Sequence, residues 1–525
     1  MTKGKLEAVK SGIFYVFTGF GFCTVYAEFF SLFAGVGLIA NLGLILICLI
    51  SAFFLKRQLL ASVKELLGKD KKIVIIISVL LLVFFAYGTS FGIMHVDSDL
   101  YHAQSIRWIE EYGVVKGLGN IHTRLAYNSA SFCLSALFSM SFMGGQSFHV
   151  CQGFSAWILA VMCIGLFRKK SVFKPTLSNF ARLAGIYYLL NIYDEMVSPA
   201  SDYFMVTMLL TVLILFLEGL EKENADPNFY GILSLMGLVV LSVKISGALI
   251  VLICIYPVIL FIKKKDFKSI IRFLITGIIC VVPFFARNVI LSGYLVYPVT
   301  GIDIFNPEYK IPFDIARYDE REIQVYGRGY SDVSRFDESI TKWLPDWFRG
   351  LDSINKAAFV LAVVSVMVLV AVAIYIFVKK KKELYGFLLA MGIMTASFGY
   401  WMITAPIIRY GCVFLWLTPL LNLGMLYNLT LSKIDRGILV KIAFLLFILY
   451  KGYAFSREWI SGAESKYLFT QQDYGHYDLV EYEVDKHIFY MPVEGGLTGY
   501  DPFPTIPYET EFRLLGTELK DGFCK

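Results

Sequence analysis

Two aspartates and a histidine lie in one short polar stretch, at Asp97, Asp99 and His102, directly after an apolar run. A carboxylate or an imidazole in such a place can act as a general base or bind a metal ion. Asp99 and His102 are three residues apart and could share one face of a helix. Alternatively, Asp97 or Ser98 caps that helix and Asp99 stabilises its first turn. The spacing leaves open which aspartate would act as the base.

Four more charged residues lie at or near the ends of other apolar runs, namely Asp202, Lys244, Arg287 and Arg409. A lysine within an apolar run is costly, so Lys244 is a functional candidate, although its side chain could also reach the interface. A guanidinium can bind phosphate through two parallel hydrogen bonds, which makes both arginines candidates for phosphate binding. The alternatives are an N-cap role for Asp202 and buried ion pairs for the arginines.

The chain that carries these residues is too apolar for a soluble protein. Of its 525 residues, 57% are hydrophobic and 17% are charged, whereas soluble domains average about 45–50% and 25%. Apolar runs of about 18 or more residues recur, and each is long enough to span a membrane as a helix. We therefore expect an all-α polytopic membrane protein. The predicted spans lie near residues 12–31, 33–54, 73–92, 148–167, 180–196, 202–218, 229–244, 246–262, 269–287, 355–378, 385–404, 407–430 and 437–455.

Clusters of lysine and arginine orient these thirteen predicted spans, because such clusters mark cytoplasmic loops. The clusters lie within residues 56–72, 168–170, 263–268, 379–382 and 433–436. All five fall on one side if the N-terminus is cytoplasmic and the C-terminus is extracytoplasmic. Arg287 and Arg409 then fall on the outer side, against this charge bias. A short apolar segment at 129–143 would break this pattern if it crossed the membrane. We therefore favour a re-entrant or interfacial segment there over a full span.

The charge and cysteine content exclude other classes of protein. The net charge of +6 is carried by the loop clusters and does not indicate nucleic-acid binding. The nine cysteines contain no CxxC pair, so we interpret them as small hydrophobic residues and not as a disulfide or metal framework. We expect a multi-pass protein of the plasma membrane that contacts membrane lipids.

The chain divides into three predicted parts. Residues 1–72 would form two N-terminal transmembrane helices and a cytoplasmic loop, and 73–455 a transmembrane core with outer loops 93–128 and 288–354. Residues 456–525 would form a small extracytoplasmic tail, which is rich in proline and therefore in loops. In the first outer loop, Leu100, Ala103, Ile106 and Ile109 recur every three residues. This spacing predicts an interfacial helix that ends at Gly113.

An acidic residue just after an early span, in an outer loop that forms interfacial helices, resembles the GT-C superfamily of polyprenyl-phosphate-sugar-dependent glycosyltransferases. The similarity is to the protein-mannosyltransferase and aminoarabinose-transferase types, and to bacterial multi-pass proteins placed near them. It is carried by the stretch that begins at Asp97, by residues 120–128, and by the stretch from Pro283 through Arg287 to Pro298. The chain departs from the family pattern because Ser98 separates the two acidic residues.

The resemblance implies a GT-C-like helical bundle and a function. Asp97 or Asp99, with His102, would be catalytic, and Asp202 would be a second acidic site. Lys244, Arg287 and Arg409 would bind the lipid phosphate, and a divalent metal could assist. A sugar would pass from a polyprenyl-phosphate donor to a glycan, lipid or protein acceptor on the outer face. The alternatives are an O-antigen polymerase or ligase, and a transporter or flippase for lipid-linked glycans.

Overall fold

The computed structural model describes residues 12–66, 72–167, 174–430, 437–462 and 465–525. Within these ranges the chain is predominantly α-helical, with two small antiparallel sheets near the C-terminus. The α-helices are α1 (Gly12–Ser31), α2 (Leu38–Leu66), α3 (Lys72–Gly88), α4 (Ala103–Tyr112), α5 (Ala130–Phe138), α6 (Cys151–Cys163), α7 (Leu177–Asn191), α8 (Ser201–Glu221), α9 (Pro227–Val243), α10 (Ile255–Lys263), α11 (Phe267–Ser292), α12 (Phe313–Gly327), α13 (Ile340–Gly350), α14 (Ser353–Val378), α15 (Tyr385–Thr404), α16 (Ile408–Thr430) and α17 (Gly437–Gly462).

Eight helical segments in these ranges are long and apolar enough to cross a membrane. They are Gly12–Ser31, Leu38–Ala61, Ser201–Glu221, Ile245–Lys263, Phe267–Ser292, Ser353–Val378, Lys382–Thr404 and Ile408–Thr430. Four shorter apolar helical segments accompany them, at Lys72–Gly88, Ala130–Met143, Cys151–Phe167 and Pro227–Val243. The chain is therefore an α-helical polytopic membrane protein, as predicted, but the count of thirteen spans is not confirmed. Of the predicted cytoplasmic clusters, residues 67–71, 168–170 and 433–436 lie outside the described ranges.

Helix α8 lies in the middle of the bundle. All its residues from Tyr203 to Leu217 are buried, and it packs against α6, α7 and α9. A helix that is apolar on every side can be enclosed on every side without leaving polar groups unsatisfied. Asp202 lies in the first turn of this helix. The most enclosed of the eight candidate spans therefore carries one of the predicted carboxylates at its end.

The ambiguous segment at 129–143 forms α5 and a short 3₁₀ turn at Ser141–Met143. Nine α-helical residues rise only about 13 Å, less than half of a hydrocarbon core of roughly 30 Å. The side chains of α5 are buried except for that of Phe138, and the helix packs against α1 and α4. The Ser129 hydroxyl donates a hydrogen bond to the Val243 carbonyl at 2.7 Å. This short helix thus lies inside the protein and is not exposed at an interface.

The helix predicted in the first outer loop is present as α4 and ends at Gly113, as expected. A Cβ at position 113 would lie 2.4 Å from the Ser31 carbonyl oxygen, and the backbone there has a φ of +76°. Two expectations for this helix are wrong. Neither Asp97 nor Ser98 makes a side-chain cap, because a π-helical turn at Ser98–His102 precedes α4. The helix is also enclosed, by α5 on one side and by the C-terminal tail on the other, so it does not lie on a membrane surface.

The tail differs from the loop-rich expectation because it contains two hairpins. Strands β1 (Leu479–Val484) and β2 (His487–Pro492) pair through a turn at Asp485 and Lys486, both of which have positive φ. Their side chains alternate between the two faces of the hairpin, which is the period of a strand. Strands β3 (Arg513–Leu514) and β4 (Phe523–Cys524) form the second pair. These short strands modify the predicted all-α fold only at its C-terminal end.

The tail is attached to α4 by hydrogen bonds and aromatic packing. The Gln104 side chain donates to the carbonyls of Gly499 and Tyr500, both at 3.2 Å, and accepts from the Thr505 amide at 3.2 Å. The Trp108 ring packs against the Phe503 ring, with their centroids 4.8 Å apart. These contacts pack the tail against the first loop.

The Glu110 carboxyl on α4 makes this attachment sensitive to pH. Burial raises the pKa of Glu110 to about 7, although the Tyr500 hydroxyl donates a hydrogen bond to it. The folded protein therefore holds a proton that the unfolded chain releases near pH 4.5, so stability falls as pH rises from about 4.5 to 7. We expect wild type to lose about 2 kcal/mol more than Glu110→Gln across this window. Unfolding in mixed micelles at several pH values measures this difference, and parallel pH profiles would contradict it.

Candidate functional site

Asp97 lies where the chain leaves α3 and enters the turn before α4. Its carboxylate accepts a hydrogen bond from the Arg409 guanidinium at 2.8 Å and lies 3.7 Å from the guanidinium of Arg124. The side chain of Asp97 remains about one-fifth exposed, at 19%. This carboxylate is therefore held between two cations and still accessible from one side.

Arg409 connects three separate parts of the chain. Its Nε lies 3.0 Å from the Asp202 carboxylate at the start of α8, and the guanidinium also contacts the ring of His95. The turn before α16 is fixed because the Trp401 indole donates to the Ile407 carbonyl at 2.9 Å. A half-buried arginine with two carboxylate partners holds the first loop against the start of α8.

Lys244 completes the group at the junction between α9 and the next helix. The α-helix ends there because Lys244 adopts an extended backbone, and a 3₁₀ helix at Ile245–Cys254 begins directly after it. The ammonium of Lys244 pairs with Asp202 and lies 3.6 Å from the centroid of the Tyr410 ring. Five residues therefore form what we term the charge cluster, namely Asp97, Arg124, Asp202, Lys244 and Arg409.

The local environment sets the protonation states around Asp97. Burial alone would raise the pKa of Asp97, but His102 and Arg409 lower it below its usual value. Burial lowers the pKa of His102 to about 3, and burial with the nearby Arg409 charge lowers the pKa of His95. At neutral pH Asp97 is therefore ionised while both histidines are neutral. The cluster then holds two carboxylates and three cations. The nearby Glu195 carboxylate accepts a hydrogen bond from the Tyr203 hydroxyl.

Asp99 is separated from the charge cluster although it is only two residues from Asp97. Its carboxylate accepts hydrogen bonds from the Gly475 amide at 2.9 Å and from the Tyr477 hydroxyl at 2.8 Å. Its backbone carbonyl accepts from the Thr498 amide, also at 2.9 Å. Asp99 therefore fixes the tail to the first loop, and of the two aspartates only Asp97 contacts the cluster.

Arg287 also lies apart from the cluster. Its guanidinium is buried and donates to the Ser31 hydroxyl at 2.6 Å and to the Asn128 side chain at 3.1 Å. Glu28, which is fully buried on α1, interacts electrostatically with the Arg287 guanidinium. The structure thus brings together Asp97, Asp202, Lys244 and Arg409 from the predicted site, with His102 beside them, and places Asp99 and Arg287 elsewhere.

Sequence reasoning missed Arg124, His95 and Tyr410. Arg124 lies in a loop that was predicted to be extracytoplasmic, and an arginine there runs against the charge bias of such loops. The same signal selected Arg287 and Arg409, so it could have selected Arg124. His95 and Tyr410 carry no comparable signal, because their roles depend on contacts with Arg409 and Lys244. Among the described residues, no group of three His, Cys, Asp or Glu side chains could hold a metal ion.

A long apolar groove of about 1130 Å³ lies between α7, α14, α16 and α17. Trp416, Leu420 and Tyr427 line it from α16. They follow Arg409 by 7, 11 and 18 residues, so at 3.6 residues per turn all four lie on nearly the same face of that helix. The groove and the charge cluster are therefore arranged along one helix face.

A family model described as "Domain of unknown function (DUF8201)" matches residues 4–416. The chain belongs to the DUF8201 family. The match contains every member of the charge cluster and ends within α16, so the tail lies beyond the region that defines DUF8201. No curated protein matches the chain.

Proposed function

We propose that this DUF8201 protein is a membrane glycosyltransferase that transfers a sugar from a polyprenyl-phosphate donor to a glycan, lipid or protein acceptor. The observation that carries the proposal is the charge cluster, in which the ionised, partly accessible Asp97 contacts Arg409 and Arg124, and Arg409 links it to the Asp202–Lys244 pair. Transfer of a sugar from a lipid phosphate to a hydroxyl group requires a proton acceptor for that hydroxyl and fixed positive charge near the departing phosphate.

In this mechanism Asp97 accepts the proton of the acceptor hydroxyl. The hydroxyl oxygen forms a bond to the anomeric carbon while the bond from that carbon to the phosphate oxygen breaks. The departing polyprenyl phosphate takes the bonding electron pair, and Arg409, Arg124 and Lys244 stabilise its charge. A phosphate that binds Arg409 competes with Asp97 for the guanidinium, which leaves an Asp97 oxygen free to accept the proton.

The apolar groove supports a lipid-linked donor. Its lining is almost entirely apolar, and it lies on the α16 face that carries Arg409. An isoprenoid chain in the groove would place its phosphate near the charge cluster, since hydrocarbon and headgroup are joined end to end. The arrangement also argues for an enzyme over a transporter, because transporters typically bind their substrates near the bilayer midplane.

The finer membrane assignments belong to the same proposal. The loops around the charge cluster and the tail would face the outside of the plasma membrane, with a cytoplasmic N-terminus and about thirteen spans. The GT-C resemblance of the Asp97 stretch, and the lysine and arginine clusters on the opposite loops, support this orientation. A divalent metal would have to compete with Arg409 and Lys244 for the carboxylates.

The experiment is turnover by the full chain in proteoliposomes, with labelled hexosyl- and pentosyl-phosphate polyprenols as donors. We expect release of polyprenyl phosphate, and we expect Arg124→Gln to raise the donor KM about tenfold, since one charged contact to the phosphate contributes about 1.4 kcal/mol. Arg107→Gln is the matched control, because Arg107 lies in the same loop but contacts Tyr500 of the tail. Absence of donor turnover by wild type in the presence of envelope glycans, lipids and peptides would refute the proposal.

A further inference from the structure

A second cavity, a cleft of about 560 Å³, opens between the end of α12, α13 and the turn that precedes α16, the helix that carries Arg409. Gly327 brings α12 onto this turn, since a Cβ at that position would lie 2.9 Å from Cα of Ala405. The Trp347 indole on α13 donates to the Pro406 carbonyl at 2.7 Å. Two elements of the second outer loop are therefore fixed against the residues that lead into Arg409.

The cleft is lined by aromatic rings and by hydrogen-bonding groups of balanced charge. Tyr326 is 66% exposed, and the Tyr330 hydroxyl donates to the Asp346 carboxylate at 2.8 Å. Arg328 and Asp346 are the charged residues in its lining, so their charges cancel. The cleft opens at the protein surface, where the side chain of the adjacent Arg349 is 76% exposed. Such a lining favours an uncharged, polyhydroxylated ligand over an anionic lipid headgroup.

The position of the cleft gives such a ligand a function. Ile408 lines the cleft, and the next residue, Arg409, contacts the Asp97 carboxylate. A ligand that fills the cleft thus reaches the part of the chain that carries the proposed transfer chemistry. The cleft volume lies within the range of about 300–1,000 Å³ that is typical of small-molecule sites.

We propose that this cleft is the acceptor subsite and binds an uncharged oligosaccharide whose reacting hydroxyl points toward Asp97. The inference rests on the proposed function for its role in transfer, but the binding itself does not. Tyr326 supplies an exposed ring for the apolar face of a sugar, and Asp346 and Ser331 supply hydrogen-bonding groups for its hydroxyls. The acceptor is therefore a glycan or a glycosylated lipid or protein.

The test measures saccharide binding without turnover. Saturation-transfer NMR on the full chain in detergent micelles would use maltotriose, cellotriose and tri-N-acetylchitotriose as neutral probes and trigalacturonate as the acidic one. We expect a saturation-transfer signal from at least one neutral probe, and we expect Tyr326→Ala to reduce this signal at least fivefold. Tyr318→Ala is the matched control, since Tyr318 lies on the same helix, is 57% exposed and does not line the cleft.

Three results would overturn the subsite. They are preferential binding of trigalacturonate, binding that is equal in wild type and Tyr326→Ala, and no binding of any neutral probe. Donor turnover by the same preparations separates this outcome from failure of the proposed function. A protein that hydrolyses the donor but binds no saccharide retains the charge-cluster chemistry and loses only the subsite.

Discussion

Replacing Asp97 with asparagine is expected to lower sugar transfer by about 10²- to 10⁴-fold, the range typical for loss of a general base. Asparagine preserves the size of the side chain and can still accept a hydrogen bond from Arg409, but it cannot take up the acceptor proton. The position of the base should therefore be retained while its chemistry is lost. The measurement is the initial rate of polyprenyl-phosphate release at saturating donor in proteoliposomes, with donor KM determined in parallel.

Asp99→Asn provides a matched control two residues away. Its side-chain oxygen can still accept from the Gly475 amide, so the tail should remain attached and transfer should stay within about threefold of wild type. An equal loss in both variants would show that the loop conformation, and not a base at Asp97, determines the rate. Sugar transfer at the wild-type rate in Asp97→Asn would contradict the proposed mechanism.

Replacing Arg409 with alanine is expected to lower the free energy of unfolding by about 3 kcal/mol, the lower end of the cost of breaking a buried ion pair. The Asp202 side chain is only 4% exposed and would keep Lys244 as its cation, whereas Asp97 would keep only the more distant Arg124. The lower end applies because Arg409 itself is about one-fifth exposed. Unfolding in mixed detergent micelles, followed by tryptophan fluorescence, measures the change.

Two further variants test the cause of this loss. Arg513→Ala removes an exposed ion pair with Glu308, so it should change stability by less than about 1 kcal/mol. The double variant Asp97→Asn/Arg409→Ala removes the carboxylate that loses its closest cation together with that cation, and it should regain part of the lost stability. If the double variant is less stable than Arg409→Ala alone, the unpaired carboxylate is not the source of the cost.

The membrane fold was predictable because apolar runs fix which residues can be buried in a bilayer. Asp202 and Lys244 were found for the same reason, since a charged residue at the end of an apolar run is expected near the membrane surface. Arg409 stood out because it opposes the charge bias of outer loops. These are local signals, and each depends on the type of a residue and its distance from the end of a span.

The separation of Asp97 from Asp99 was not predictable in this way. It depends on a π-helical turn at Ser98–His102 and on Gly475 and Tyr477, which are more than 370 residues away in the chain. The β1–β2 hairpin was missed because the prolines of the tail predict loops. The alternation of side chains in Leu479–Val484 indicates a strand. Arg287 had the same local signal as Arg409, but its partners, Ser31 and Asn128, lie in segments that no single-residue pattern connects.

The attachment of Asp99 and Gln104 to the tail has a consequence for biogenesis. Synthesis proceeds from the N-terminus, so the first loop is made long before residues 475–505 exist. Until then the Asp99 carboxylate and the Gln104 amide lack their hydrogen-bond partners in the tail, and α4 lacks the packing of the Phe503 ring. The first loop therefore reaches its final conformation only after residues 475–505 of the tail have been synthesised. A nascent chain that stops after α16 would contain the complete DUF8201 match and still present an unfinished first loop.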